Sequence, residues 1–493
     1  MITIISNGHP LGEVSVKSLV GYLESFDLPV RAIYLNNWHR LWEGLIRDIL
    51  DLTKDSALVG FSLMSKDVKV MMPLVKRIRE QQRIPVVWGG IHPTALPEES
   101  LKNCDFVCVG EGEEPLRQLS ERIGKGEGDG SGIPNIGYRK GREIFFNPER
   151  YIAESLDALP FPDYKFKNSY YVQSVRRGSR LVRIPENPKA RQDLFETDSF
   201  LFYSQRGCRM ACTYCSNSLY HRLAREAGTK WYRMASVSRI KRELTDHVKY
   251  LPFIRHIGIN DDDILDRDID DLDQIGSFLK NDLKISFNIN ATPRHVTREK
   301  IEVLSRYGLR QIAMGVQSGS DRILKHVYKR SVDVSDVLRA ANIISEFYGK
   351  GVTADYGFIL DSPYEDMEDW RASLNLLALI PRPITVSLYT LGFFPGTELT
   401  KRALKDGKLA DPEKEFDKMY HDDIKPSYIY FVFLVNKHMN VPIRLNRVLL
   451  SAFMFESLYA LPIRSLLAFA TIIVKFKAKM KRYAKYILVM VFR

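Results

Sequence analysis

Apolar and polar positions divide the chain into two long alternating stretches and a tail. In the first third, runs rich in Val, Ile and Phe fall at 2–6, 30–35, 57–62, 85–88 and 106–109. They predict five strands, with helical spacing between them, as over 68–81. Strands alternating with helices imply an open parallel sheet, whose ligands bind beyond the carboxyl ends of the strands. A glycine-rich linker follows at 124–132, then a hairpin at 136–146 with Lys140-Gly141 near its turn. A second alternation places strands at 200–204, 256–260, 285–290, 311–315, 353–359 and 385–391. Six βα units predict a partial barrel with its chemistry at the carboxyl ends of the strands. Past Asp411 the pattern changes to apolar runs at 428–435, 445–459 and 463–474, a basic run at 475–482 and a last apolar run at 486–492.

The expected segments are 1–122, 123–195, 196–400 and 401–493, within an α/β fold class. The chain of 493 residues is 45% apolar, enough for several cores and against disorder. Its five cysteines, three of them clustered, do not suit a disulfide framework and fit a reducing compartment. Met1 to Ser6 enters a strand at once, so a cytoplasmic location without a leader is expected. The net charge of +12 is local, because eleven Lys or Arg face only Glu456 between Lys437 and Arg493. Apolar helices flanked by cations fit either an interfacial helix on the inner face of an anionic membrane or a helical cap on the barrel. The uncharged stretch 465–474 is too short to span a bilayer. Nucleic acid is disfavoured, because the tail is more apolar than a phosphate-binding stripe. Six cations at 176–191, among them Arg176, Arg177, Arg180 and Arg183, read as a solvated loop or a cap over an acidic substrate.

The most specific chemistry lies in Gln205-Arg206-Gly207-Cys208-Arg209-Met210-Ala211-Cys212-Thr213-Tyr214-Cys215. Three thiolates on one loop suit three irons of a [4Fe–4S] cubane, leaving the fourth iron open. Zinc with His221 as fourth ligand is the competing reading. The C-x3-C-x2-C spacing, with Tyr214 before the last cysteine, resembles the radical S-adenosylmethionine (SAM) superfamily. That resemblance implies a cluster on Cys208, Cys212 and Cys215 that chelates SAM through its open iron. One electron from the cluster then yields methionine and a 5′-deoxyadenosyl radical, which abstracts hydrogen from an unreactive carbon. It also implies a low-potential donor such as ferredoxin or flavodoxin.

Other strand ends match the same pattern. Asp261, Asp262 and Asp263 follow the second strand, where the family holds the amino group of SAM. Gly315-Val316-Gln317-Ser318-Gly319 follows the fourth, with Gln317 for the usual Glu, and Arg330 stands where relatives place a basic residue near the SAM carboxylate. Gly357 to Asp366 resembles a weakened form of the family's loop after the fifth strand.

The first sheet's loops carry His9 and Gly12, then Ser62, then Gly89, Gly90 and His92, then Gly110, Glu111 and Gly112. Together they resemble the cobalamin-binding domain that precedes many radical SAM enzymes, a flavodoxin-like (Rossmann-like) sheet. The alternative is a flavodoxin-like scaffold that binds nothing. In mutase relatives Asp-x-His-x-x-Gly supplies a lower cobalt ligand. Asn7 replaces that Asp here, which weakens support for His9 as the ligand and leaves a plain loop histidine as the other reading. The resemblance implies a cobalamin-dependent methyltransferase acting on a small molecule or lipid-like substrate. A ring-forming or oxidising enzyme and a non-catalytic corrinoid-binding protein are the alternatives.

Overall fold

The computed structural model describes residues 1–38, 40–175, 178–411, 430, 432–434 and 451. The tail segments expected at 428–492, and Arg176 and Arg177, therefore lie wholly or mostly outside the described residues. The described parts of Met1–Ile289 and Phe393–Phe416 form one compact unit, and those of Asn290–Gly392 and Asp417–Arg493 form another.

The first unit opens with strands β1 (Ile2–Ser6), β2 (Val30–Tyr34), β3 (Leu58–Ser62), β4 (Val86–Gly89) and β5 (Phe106–Cys108). All five run parallel. Every residue of β1 is buried, as expected for a strand covered on both faces. Hairpin β6 (Ile136–Lys140) and β7 (Glu143–Phe146) extends the sheet beyond β5, and β8 (Ser169–Val175) with β9 (Gly178–Arg183) extends it beyond β2. The resulting order is β7-β6-β5-β4-β3-β1-β2-β8-β9. The loop expected at 176–191 is thus corrected. Gly178–Arg183 is an antiparallel edge strand and Pro188–Phe195 a helix. Such an edge tolerates cations because one side faces water.

The order in which successive strands are added to the sheet reverses between β1 and β3, the switch point where open α/β sheets hold ligands. Register places Ser6 beside Ser62, and Ser62 beside Gly89. Three carboxyl-end residues thus stand in one row. Trp88, Phe61 and Ile5 are essentially fully buried in the core behind this row.

The same unit contains β10 (Ser199–Phe202), the short antiparallel pair β11 (Gln205–Arg206) and β12 (Arg233–Met234), then β13 (His256–Ile259) and β14 (Ser286–Ala291) as far as Ile289. Strands β10, β13 and β14 lie parallel in that order. Ser236 caps the helix Val237–Tyr250 by accepting from the Arg239 N–H. The second unit has β15 (Leu309–Gln317), β16 (Thr353–Leu360) and β17 (Thr385–Thr390), also parallel. Thr297, Asp333 and Asp366 cap its helices with their side chains. Among the described residues no helix is long and apolar enough to cross a membrane.

Candidate active site

The cysteine loop leaves β10 through a clamp supplied by β13. One carboxylate oxygen of Asp261 accepts the Ser204 N–H at 2.6 Å and the Gln205 N–H at 3.0 Å, and the other accepts the Ser204 hydroxyl. Burial pushes the Asp261 carboxyl up to about 6, against the opposing pull of these bonds and of Arg267. Of the three adjacent acids, Asp261 is therefore engaged with protein backbone. Asp262 accepts from Asn217 at 3.1 Å, and Asp263 is buried. A clamp of this kind depends on shape more than on charge. Asp261→Asn keeps an acceptor for both N–H groups and should melt near wild type. Asp261→Ala orphans two buried donors at about 1–3 kcal/mol each and should melt clearly earlier by calorimetry.

Beyond the clamp, Gly207 adopts a φ of +85°, and a Cβ there would sit 2.5 Å from the Trp231 ring. Only glycine admits the turn that turns Cys208 out of the strand. The Cys215 N–H donates to the Cys212 carbonyl at 3.0 Å, and the Met210 N–H points at the Cys208 sulfur at 3.4 Å. Such N–H···S bonds tune iron–sulfur centres. Leu399 donates to the Thr213 carbonyl at 2.9 Å and pins the loop beside Tyr214. Burial pushes the Cys208 and Cys215 thiols up, to about 12 and about 11. Loading iron therefore displaces protons.

The His221 ring nitrogen donates to the Cys208 carbonyl at 2.7 Å, so that ring serves the loop backbone. Among the described residues no three His, Cys, Asp or Glu side chains converge to hold a single metal ion. Three soft thiolates on one loop suit a cubane, whose irons take one thiolate each, better than zinc.

A cavity of about 580 Å³ opens at the carboxyl edge of the first sheet. Its walls include Gly12, Ser62, Gly89, Gly90, Gly110, Glu111 and Gly112, with Tyr203, Gln205, Arg206, Tyr220 and Trp231 from the cysteine-loop side. Gly90 has a φ of +97°, and a Cβ there would lie 2.8 Å from the Leu63 carbonyl oxygen. A Cβ on Gly89 would meet only Cys108, at 3.9 Å, so that glycine clears space without relieving strain. A glycine-floored cradle at a switch point fits a large planar cofactor such as cobalamin. Valine suits a strand, so Gly89→Val should fold. Its methyls would cost about 1–3 kcal/mol of overpacking, about 5- to 150-fold in cobalamin affinity, measured by corrinoid retention on desalting.

His9 and His92 are not among the residues lining this cavity. The His9 ring nitrogen Nδ1 accepts the Leu11 N–H at 3.2 Å, and the ring packs edge-on against Tyr171 and Phe195. Burial, then Lys17, lowers His9 to about 4. Asn7 does not act behind it. Its amide bonds the Trp38 backbone and the Asp67 carboxylate instead. His92 is 3% exposed and bonds Ser65 at 3.2 Å.

Glu111, expected in the cobalamin loop, also anchors an ion network. It meets Arg233 at 2.6 Å and Arg206 at 2.8 Å, while Arg206 reaches Glu113 at 2.6 Å. The Ala153 N–H donates to the second Glu111 oxygen at 2.8 Å. Burial alone would raise the Glu111 carboxyl, but the two arginines overcome it and hold the group well below the usual range. Arg206 and Arg233 carried no local signal in the sequence, apart from Arg206 lying two residues before Cys208.

In the second unit a bulge in β15 gives Gln317 a φ of +72°. Arg330 donates to the Gly315 carbonyl at 2.8 Å, and both Arg330 and Gln317 nitrogens crowd the face of Gly315. Ser318 is fully buried and bonds Glu365 and Ser373, at 3.2 and 3.3 Å. Ser318 thus holds the loop, while Gln317 and Arg330 form its polar edge.

Two family profiles match the chain. The B12 binding domain covers residues 1–120 and the Radical SAM superfamily covers 202–377. An uncharacterized methyltransferase of Pyrococcus horikoshii, PH0819, is 24% identical over 424 residues, covering 81% of this chain and 83% of that protein. Uncharacterized protein MJ1620 of Methanocaldococcus jannaschii is 26% identical over 350 residues, 67% of this chain and 66% of that one. Among solved structures, the radical SAM methyltransferase TsrM from Kitasatospora setae, with cobalamin and a [4Fe–4S] cluster bound, matches with a TM-score of 0.62 at 15% identity. The match covers 86% of this chain and 82% of TsrM. The cobalamin-dependent SAM radical enzyme OxsB matches at 0.59 and 19%, covering 85% of this chain and 56% of OxsB. These likenesses show the fold, an α/β chain with a parallel sheet and a TIM-barrel-like core. The chain therefore joins a B12-binding domain to a radical SAM domain, the pairing of a cobalamin-binding radical SAM enzyme.

Proposed function

We propose that this enzyme methylates an unactivated carbon of a small molecule, using SAM, a [4Fe–4S] cluster and cobalamin. The observation that carries the reading is the shared wall of the cavity. Tyr203, Gln205 and Arg206 line it from the strand exit that leads into Cys208, facing the glycine loops of the first sheet. When bound, the cluster and SAM supply a carbon-centred radical on the substrate and cobalamin supplies the methyl carrier.

The chain's own residues bind, orient and exclude water. Cys208, Cys212 and Cys215 hold iron. Gly12, Ser62, Gly89, Gly90, Gly110 and Gly112 make room for the corrin. The Glu111 network fixes the strand before Cys208 against the cobalamin loops. Gln317 and Arg330 offer polar groups of the kind that would meet SAM. The methyltransferase names of PH0819 and TsrM point the same way. The test is anaerobic turnover with a library of apolar small molecules. S-adenosylhomocysteine formed in step with a methylated product supports methyl transfer. Product formed with 5′-deoxyadenosine alone, and no added carbon, would replace it with ring formation or oxidation.

A further inference from the structure

Behind the cysteine loop, within the first unit, lies a second cleft of about 790 Å³. Its lining includes Arg209, Arg222, Arg225, Lys230 and Lys401, and Glu398 is its sole acid. Arg209 pairs with Asp266 at 2.5 Å and Arg222 with Glu226 at 3.9 Å. Among the described residues, Arg225, Lys230 and Lys401 make no ion pair, and all three are exposed. The cleft is therefore cationic and largely uncompensated.

Its floor touches the cluster loop directly. His221 lines it and donates to the Cys208 carbonyl at 2.7 Å, and Ser218 lines it and donates to the Cys215 carbonyl at 2.7 Å. Ser218, His221, Arg222 and Arg225 share one face of the helix Asn217–Glu226. A partner seated here stands one hydrogen bond from two of the three cysteine backbones. The cobalamin cavity adjoins only through Trp231, which lines both and stacks on Tyr220 at 4.3 Å.

We propose that this cleft docks an acidic, low-potential electron-transfer protein of the flavin or iron–sulfur class. The carrier gives up one electron and is oxidised; the cluster on Cys208, Cys212 and Cys215 takes it and is reduced. Complementary charge steers such encounters and sets their salt dependence. The inference rests on the radical SAM reading, because only a cluster that must be reduced needs a carrier.

The test titrates a strongly acidic flavodoxin into iron-loaded protein by calorimetry, at rising salt. Binding should weaken steeply with salt, as screened surface charge requires. The double reversal Lys230→Glu/Lys401→Glu should weaken it at low salt by about tenfold or more. Dithionite should still reduce the cluster of that variant, read by electron paramagnetic resonance. Equal affinity of wild type and variant overturns the docking site. So does saturation of the cleft by inorganic phosphate with no flavodoxin binding, which would make it a small-anion subsite. If dithionite-reduced wild type does not cleave SAM, the radical reading itself has failed; if it does, a charge-insensitive titration sinks the docking site alone.

Discussion

Cys212→Ala should remove iron loading and SAM cleavage while leaving the fold in place. Cys212 is 5% exposed, and its carbonyl closes the loop by accepting the Cys215 N–H. Alanine keeps that turn and deletes one of three thiolates. Partners that merely orient metal ligands cost about 10–100-fold when lost, so loss of a ligand should cost more than about 100-fold in 5′-deoxyadenosine formed. Cys104 and Cys108 are the controls. Their sulfurs face the Ser100 and Glu111 carbonyls inside the first sheet, and burial raises both thiols. Cys104→Ser should keep its iron. A Cys212→Ala protein that still cleaves SAM would place the cluster elsewhere.

Glu111→Ala is expected to destabilise the first unit more than any other single change considered. It leaves Arg233, 8% exposed, without a carboxylate, and Arg206, 25% exposed, with Glu113 alone. Removing one partner from a buried pair costs about 3–5 kcal/mol. The strand before Cys208 would loosen, so iron and corrinoid retention should fall together with the melting temperature. Glu111→Gln keeps the acceptor for Ala153 and should lie between. The folded Glu111 carboxyl titrates below its unfolded value of 4.5. Its stabilisation is therefore present above pH 4.5 and lost as pH falls toward the folded value. Wild type should lose stability below that point, and Glu111→Ala should show a flatter pH profile there. Equal melting of variant and wild type at pH 7 would contradict this account.

Local signals were legible in the sequence and distant ones were not. The strand at 2–6 is reproduced residue for residue, and the six later strands shift by two residues or fewer at their ends, because apolar runs bounded by polar turns are short-range patterns. The cysteine loop is equally local. The network on Glu111 joins residues 95 and 122 positions apart, and nothing in the spacing announces it. Asp261 looked like part of a ligand-facing triplet, yet its backbone partners come from another strand end. Asn7 in place of the usual Asp already weakened His9 as a cobalt ligand, but the packing of its ring against Tyr171 and Phe195 is a contact that no motif names. Cations at 176–191 masked an edge strand, because alternation of side chains on an edge reads as solvated loop.

On the proposed reading, one chain holds a cluster and a corrinoid across a shared wall. The most direct measurement is an anaerobic ultraviolet–visible spectrum of iron-reconstituted protein after cobalamin loading and desalting. The spectrum should show sharp corrinoid bands, from about one corrinoid per chain, superimposed on broad cluster absorption, with the bands lost in Gly89→Val and the broad absorption lost in Cys212→Ala. Cluster absorption with no retained corrinoid in the wild type would contradict it and leave the amino-terminal sheet a scaffold.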